Sequence, residues 1–129
     1  MLVAWLIVRG TSTVWPLPRP FVLGVGQQWL AKEPSPSFPS SHAAIAWAVG
    51  AAACWWARHP LARAALLLSA LLIAWSRLAL GLHFPSDTLA GILVGVLAAW
   101  ATVALTRLLA QRLGRGFREV MPLAMPPAR

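Results

Sequence analysis

Three long apolar runs dominate the second half of the chain. Residues 43–57 are rich in Ala, Val and Trp. Residues 64–82 are rich in Leu and Ala, with Arg77 near the far end. Residues 88–106 are apolar throughout except for Thr. Ala and Leu favour helix, and each run is longer than a typical strand, so the pattern predicts three helices. The third is long enough to span a bilayer by itself, which takes about 20 residues. Residues 1–8 are also apolar, but Arg9 interrupts them short of a span, and no basic flank precedes them as in a signal peptide. They read as the end of a helix whose beginning is absent. Residues 15–41 are dense in Pro and Ser. Proline at that density breaks helices, so this stretch is expected to be a loop, with a short interfacial helix at 20–31.

Composition turns three helices into a membrane bundle. The 129 residues are 59% hydrophobic and 11% charged, against about 25% charged in an ordinary soluble domain. The expected fold is an all-α integral-membrane bundle in one domain over residues 1–110. It has three clear transmembrane helices and a partial N-terminal one, followed by a basic, Pro-rich cytoplasmic tail at 111–129. The single cysteine, Cys54, lies in an apolar run and suggests packing, neither a disulfide framework nor a thiolate metal site. The abundant Trp residues suit interface anchoring or packing.

A net charge of +8 would suggest nucleic acid in a soluble protein. Here the basic residues gather at the ends of apolar runs, which fits membrane orientation and anionic headgroups and excludes nucleic acid as the partner. The short basic turn at 57–63, with Arg58 and Arg63, and the tail, with Arg107, Arg112, Arg115, Arg118 and Arg129, are both cytoplasmic by the positive-inside rule. Run 43–57 then descends to the cytoplasm, run 64–82 ascends and run 88–106 descends. This order puts His42 and His83 on the same, extracytoplasmic face.

Candidate chemistry concentrates at those two histidines. His83 and Asp87 are four apart, so on a helical turn they share a face. A carboxylate accepting from one ring nitrogen fixes the tautomer and frees the other to attack. The bland alternative is a structural link, or a helix-start aspartate beside a snorkelling histidine. Arg77 is either a snorkelling arginine or a fork for phosphate oxygens, and Arg19 is held stiffly between Pro18 and Pro20. Ser40 and Ser41 are candidate N-caps, yet a helix N-terminus is also an anion site, and His42 there could pass a proton to a leaving oxygen. Together these groups suit phosphoryl transfer without metal or cofactor. A metal site is disfavoured, because the aspartate is single.

At this point the residues resemble a known family. Pro39-Ser40-Ser41-His42 resembles the second signature of the type 2 phosphatidic acid phosphatases, usually Pro-Ser-Gly-His. Ser76-Arg77, then His83, then Asp87 match the third at every fixed position. Arg19-Pro20 resembles the end of the first. The resemblance spans roughly residues 12–106. It implies a six-helix core related to the vanadium haloperoxidases, of which this chain would be the C-terminal two-thirds, without the first two helices. It implies His83 as nucleophile, Asp87 as its orienting partner and His42 as general acid. Arg19, Ser40, Ser41 and Arg77 would bind phosphate.

The implied activity is metal-independent hydrolysis of a lipid phosphate through a phosphohistidine. The bacterial members most like this chain act on undecaprenyl diphosphate at the outer face of the inner membrane. A phosphatidic acid or phosphatidylglycerophosphate phosphatase, or a truncated inactive membrane relative, are the alternatives. Two positions depart from the pattern. Ser41 stands where glycine is usual. Ser12 stands where the first signature has a lysine, seven positions before Arg19. Arg9 lies three residues further off, roughly 60° around a helix from the expected face, and Lys32 lies beyond the motif. Loss of that cation is expected to weaken phosphate binding or transition-state stabilisation by about 2–4 kcal/mol in a dry site.

Overall fold

The computed structural model describes residues 2–113. All regular structure among them is helical. Helix α1 spans Leu2–Val14, α2 Ser41–Trp56, α3 Pro60–Ala79 and α4 Pro85–Leu113. The three predicted runs are thus helices with shifted ends. Prolines set two of the starts: Pro60 and Pro85 each occupy the first helical position, where a missing N–H costs nothing and the fixed φ favours entry. The 64–82 run ends early because Gly81 takes a positive φ of 67°. Its N–H donates to Leu78 and the Leu82 N–H donates to Arg77, the paired bonds that close a helix on a left-handed glycine.

Two expectations at the N-terminal side are corrected. Arg9 does not end the first helix, which continues through it to Val14. The side chains of Thr11, Ser12 and Thr13 donate back to backbone carbonyls three or four residues earlier, so polar residues continue the helix without orphaned groups. The interfacial helix expected at 20–31 shrinks to one 3-10 turn at Pro20–Leu23. Gly24 and Gly26 stop it, both at positive φ. The tail from residue 114 lies outside the described residues.

Helices α2, α3 and α4 follow one another through short connections, while the proline-rich loop of residues 15–40 joins α1 to α2. Helix α2 packs chiefly on α4 and then on α3, while α1 closes against α2 and α4. The interior is built from small residues, among them Ala4, Ala43, Ala48, Ala70, Ala74 and Ala98, while Leu68, Leu72, Trp75, Leu93, Leu97 and Trp100 point outward. Water would not tolerate so large an apolar exterior, but lipid removes that penalty, and close packing of small residues is how helices associate there. By length and hydropathy, α3 and residues 85–111 of α4 can cross a membrane. The third expected span, α2, has 16 residues, about 24 Å of helix, shorter than a bilayer core.

The seam between α2 and α4 turns on Gly91 and Gly95. A Cβ at Gly91 would come within 2.5 Å of the Ser40 carbonyl oxygen, and one at Gly95 would run into the Ala44 carbonyl oxygen. The four-residue spacing puts both glycines on one face of α4 and lets the two backbones approach closely. The Ser40 N–H donates to the Asp87 carbonyl at 3.0 Å, so the seam also holds the start of α2 against the start of α4. We therefore expect Gly91→Val to lower the unfolding midpoint in detergent by the equivalent of about 1–3 kcal/mol of overpacking. Gly10→Ala, whose Cβ meets nothing within 4 Å, should not lower it. Scanning fluorimetry of both variants checks this.

Candidate active site

The site forms where the C-terminal end of α1, the N-termini of α2 and α4, and the C-terminal end of α3 meet the proline-rich loop. The close of α3 delivers its central residue. The left-handed Gly81 turns the chain, Leu82 follows with its carbonyl facing inward, and His83 is buried at 6% exposure. Arg19, also 6% exposed, reaches this corner from the loop. Its Nη1 donates to the Leu82 carbonyl at 2.8 Å and lies 3.2 Å from His83 Nε2. Its Nε donates to Ser35 and its Nη2 to the Pro36 carbonyl.

These contacts determine the histidine tautomer. A guanidinium only donates, so His83 Nε2 must present its lone pair to Arg19. The ring proton then sits on Nδ1. Ser37 Oγ lies 3.3 Å from Nδ1 and donates its own hydrogen to Asp87 Oδ2 at 2.5 Å. The chain of bonds therefore runs from Nδ1–H to the Ser37 hydroxyl to the Asp87 carboxylate. Direct approach of His83 Nδ1 to Asp87 Oδ2 is 3.7 Å, longer than a hydrogen bond. Asp87 is thus near His83 as expected, but the bond passes through a serine that sequence reasoning missed.

Asp87 has a second task. Its Oδ2 accepts the Phe84 N–H at 2.9 Å, so it caps the first turn of α4, where a negative charge also complements the helix dipole. Asp87 is therefore a helix-start aspartate as well as a neighbour of His83. Burial, with the nearby Arg19 charge, pushes the His83 pKa down to about 4; Asp87 and Ser37 oppose this. His83 is therefore neutral near pH 7. Burial also lowers Arg19 from the usual arginine range, against the opposing charge of Asp87, and it remains a cation.

A cavity of about 330 Å³ opens onto this cluster, walled by Arg9, Ser12, Arg19, Lys32, Ser41 and His83 among others. That volume lies within the range of small-molecule sites. Ser40 occupies the N-cap position of α2, but its side chain makes no capping bond, and its hydroxyl is buried without a partner. The first amides of α2 are left without a side-chain cap beside the cavity, an arrangement that favours an anion.

The remaining expected site residues stand further out. His42 lies in the first turn of α2 and is exposed; it does not wall the cavity, although the charges of Arg77, Lys32 and Arg19 reach it. Arg77 is half-buried in the last turn of α3, its guanidinium bonded to the Ser76 hydroxyl at 3.0 and 3.1 Å. Among the described residues, no three His, Cys, Asp or Glu side chains gather.

Comparison with known proteins decides the family. The sequence profile described as PAP2 superfamily matches residues 1–110. The chain belongs to the PAP2 superfamily. It is 36% identical over 99 residues to the Escherichia coli protein named Putative undecaprenyl-diphosphatase YbjG, covering 75% of this chain and 46% of that protein. It is 41% identical over 85 residues to Phosphatidylglycerophosphatase B of Escherichia coli, covering 64% of this chain and 32% of the relative. The Phosphatidylglycerophosphatase B of Shigella flexneri matches equally. The chain thus spans less than half the length of these relatives. No solved structure matches.

Ser37 carried one signal in the sequence, its position two residues before Pro39 in the second signature, which fixes its distance from Ser40 and His42. If its hydroxyl links His83 to Asp87, Ser37→Ala should lower kcat about ten- to hundredfold, the value of a hydrogen bond to a charged group. KM should change little, and Ser37→Thr should keep most of the rate. Steady-state kinetics on the two variants checks this.

Proposed function

We propose that this PAP2-superfamily chain is a membrane lipid phosphatase that works through a phosphohistidine, with a polyprenyl diphosphate as substrate. The observation that carries the reading is the His83 ring beside the cavity, held neutral with its Nε2 accepting from Arg19 and its Nδ1–H tied through Ser37 to Asp87.

In the first step Arg19 Nη1 turns from Nε2 to a phosphoryl oxygen, and the freed Nε2 lone pair attacks phosphorus. An N–P bond forms as the P–O bond to the leaving group breaks, and that oxygen takes the electron pair. The imidazole becomes cationic while keeping its Nδ1 proton, and the Ser37–Asp87 link stabilises the charge. Arg19, through Nη1 and the second Nη2 hydrogen, and the α2 amides at Ser41 bind the transferring phosphoryl oxygens, and the unpartnered Ser40 hydroxyl behind them turns to join them. His42, exposed at the same end, gives a proton to the leaving oxygen and then takes one from the water that hydrolyses the N–P bond. Arg77 sets the charge around His42 and draws the anionic headgroup to this end. Inorganic phosphate leaves and His83 is regenerated.

The opposite end of the bundle carries Arg58, Arg63 and Arg107, the last stacked over Trp55 at 4.5 Å. This charge asymmetry supports an orientation with that end cytoplasmic and the site facing outward across the bacterial inner membrane. The domain occupies residues 1–110, and 111–129 form its cytoplasmic tail. The likeness to Phosphatidylglycerophosphatase B favours a second reading, phosphatidylglycerophosphate as substrate.

Purified protein in detergent should release inorganic phosphate from undecaprenyl diphosphate with chelator present, and His83→Ala should abolish release. Faster turnover of phosphatidylglycerophosphate would select the second reading. Equal release by wild type and His83→Ala would reject both. The pH profile supplies a separate check. A histidine that must be neutral loses activity as pH falls through its pKa, so kcat/KM should hold down to an acid limb near 4 rather than 6.5. Arg19→Gln removes a charge that depresses His83 and should move that limb upward.

A further inference from the structure

The cavity holds two cations that the mechanism above does not use. Arg9 and Lys32 both wall it. Neither side chain forms a hydrogen bond or ion pair with another described residue, whereas the Arg19 guanidinium is committed on Nε, Nη1 and Nη2 to Ser35, Leu82, His83 and Pro36. No acidic side chain walls the cavity. The space beside His83 is therefore strongly positive, and two of its charges are free to meet a ligand.

Arg9 also bears on the odd position at Ser12. Arg9 and Ser12 stand three apart on α1, and such residues are surface neighbours on a helix. Both wall the cavity. The offset read from sequence does not carry Arg9 away from the site, because its long side chain covers the difference. Ser12 instead donates to the Val8 and Phe38 carbonyls, fastening α1 to the loop that carries Ser37. Lys32 reaches the cavity from the loop, on the stretch held to the bundle by the Trp29 N–H bond to Leu80.

We infer that Arg9 and Lys32 form a subsite for a second phosphoryl group, the one that departs when a diphosphate is cleaved. The inference rests on His83 as the nucleophile. When Nε2 attacks the terminal phosphorus, the bond to the bridging oxygen breaks and its electron pair passes to the departing lipid phosphate. That group then carries an added negative charge. Arg9 and Lys32 offset that charge alongside the proton from His42, whereas a monoester places no second phosphoryl group there. The site is thereby matched to phosphoanhydrides over phosphomonoesters.

The test compares farnesyl diphosphate with farnesyl monophosphate on the full chain in detergent. The double variant Arg9→Ala/Lys32→Ala should raise KM for the diphosphate about tenfold or more, the scale of lost charge-assisted bonds. KM for the monophosphate should change less than twofold, and that activity shows the variant to be folded. Adding Ser12→Lys to the double variant should recover part of the loss. Equal effects on both substrates, or none, would overturn the subsite. Binding separates this from failure of the phosphatase reading. On the full-chain His83→Ala protein, inorganic pyrophosphate should bind more tightly than phosphate, and adding Arg9→Ala/Lys32→Ala should remove the difference. A protein that hydrolyses neither lipid but keeps this preference retains the subsite and loses the phosphatase reading. Equal binding of the two anions would overturn the subsite.

Discussion

The buried guanidinium of Arg19 joins parts of the molecule that nothing else ties so directly. It bonds to Ser35 and Pro36 on the proline-rich loop, to the Leu82 carbonyl after α3, and to the ring of His83 ahead of α4. A charge at 6% exposure is tolerated only when it is hydrogen-bonded, and each of the three guanidinium nitrogens has a partner. The same contact decides the proton on the imidazole, because a donor at Nε2 leaves only Nδ1 to carry it. The loop anchor and the chemistry of His83 are thus one interaction. The charge that holds the loop also helps keep His83 neutral.

Arg19 can act this way only because the helices bring their ends together. That depends on small residues. Gly91 and Gly95 let α4 lie against the backbone of α2, and Ser40 N–H to Asp87 O joins the two helix starts. In lipid, where large apolar side chains gain little from one another, such close backbone contact supplies the packing. Leu and Trp face outward, Ala and Gly inward, and the polar cluster sits at one end, where the helix starts and the α3 turn supply dipoles and free backbone groups.

Much of this could be read in the residues. Helix content followed from the Ala- and Leu-rich runs, and the family from the spacing of Arg77, His83 and Asp87 beside Pro39-Ser40-Ser41-His42. Helix ends were harder, because Pro60, Pro85 and Gly81 act through single dihedral angles that a hydrophobic pattern does not record. The short 20–31 helix failed at Gly24 and Gly26 for the same reason. Ser37 was missed because its one mark, a place two residues before Pro39, says nothing of its partners; only the fold brings it between residues 46 and 50 positions away. Arg9 and Lys32 looked displaced from the motif when position was counted along the chain, and the cavity unites them. Ser12 turned from a missing cation into a fastener of the loop.

The account stands or falls on Nε2 of His83 as the atom that receives the phosphoryl group. Rapid quench of the full chain turning over phosphate-labelled undecaprenyl diphosphate, followed by alkaline digestion and mass spectrometry, tests this directly. The account predicts a transient phosphoryl group on Nε2 of His83, formed and lost at rates compatible with turnover. Steady turnover with no label on His83, or with label on His42 instead, would contradict it.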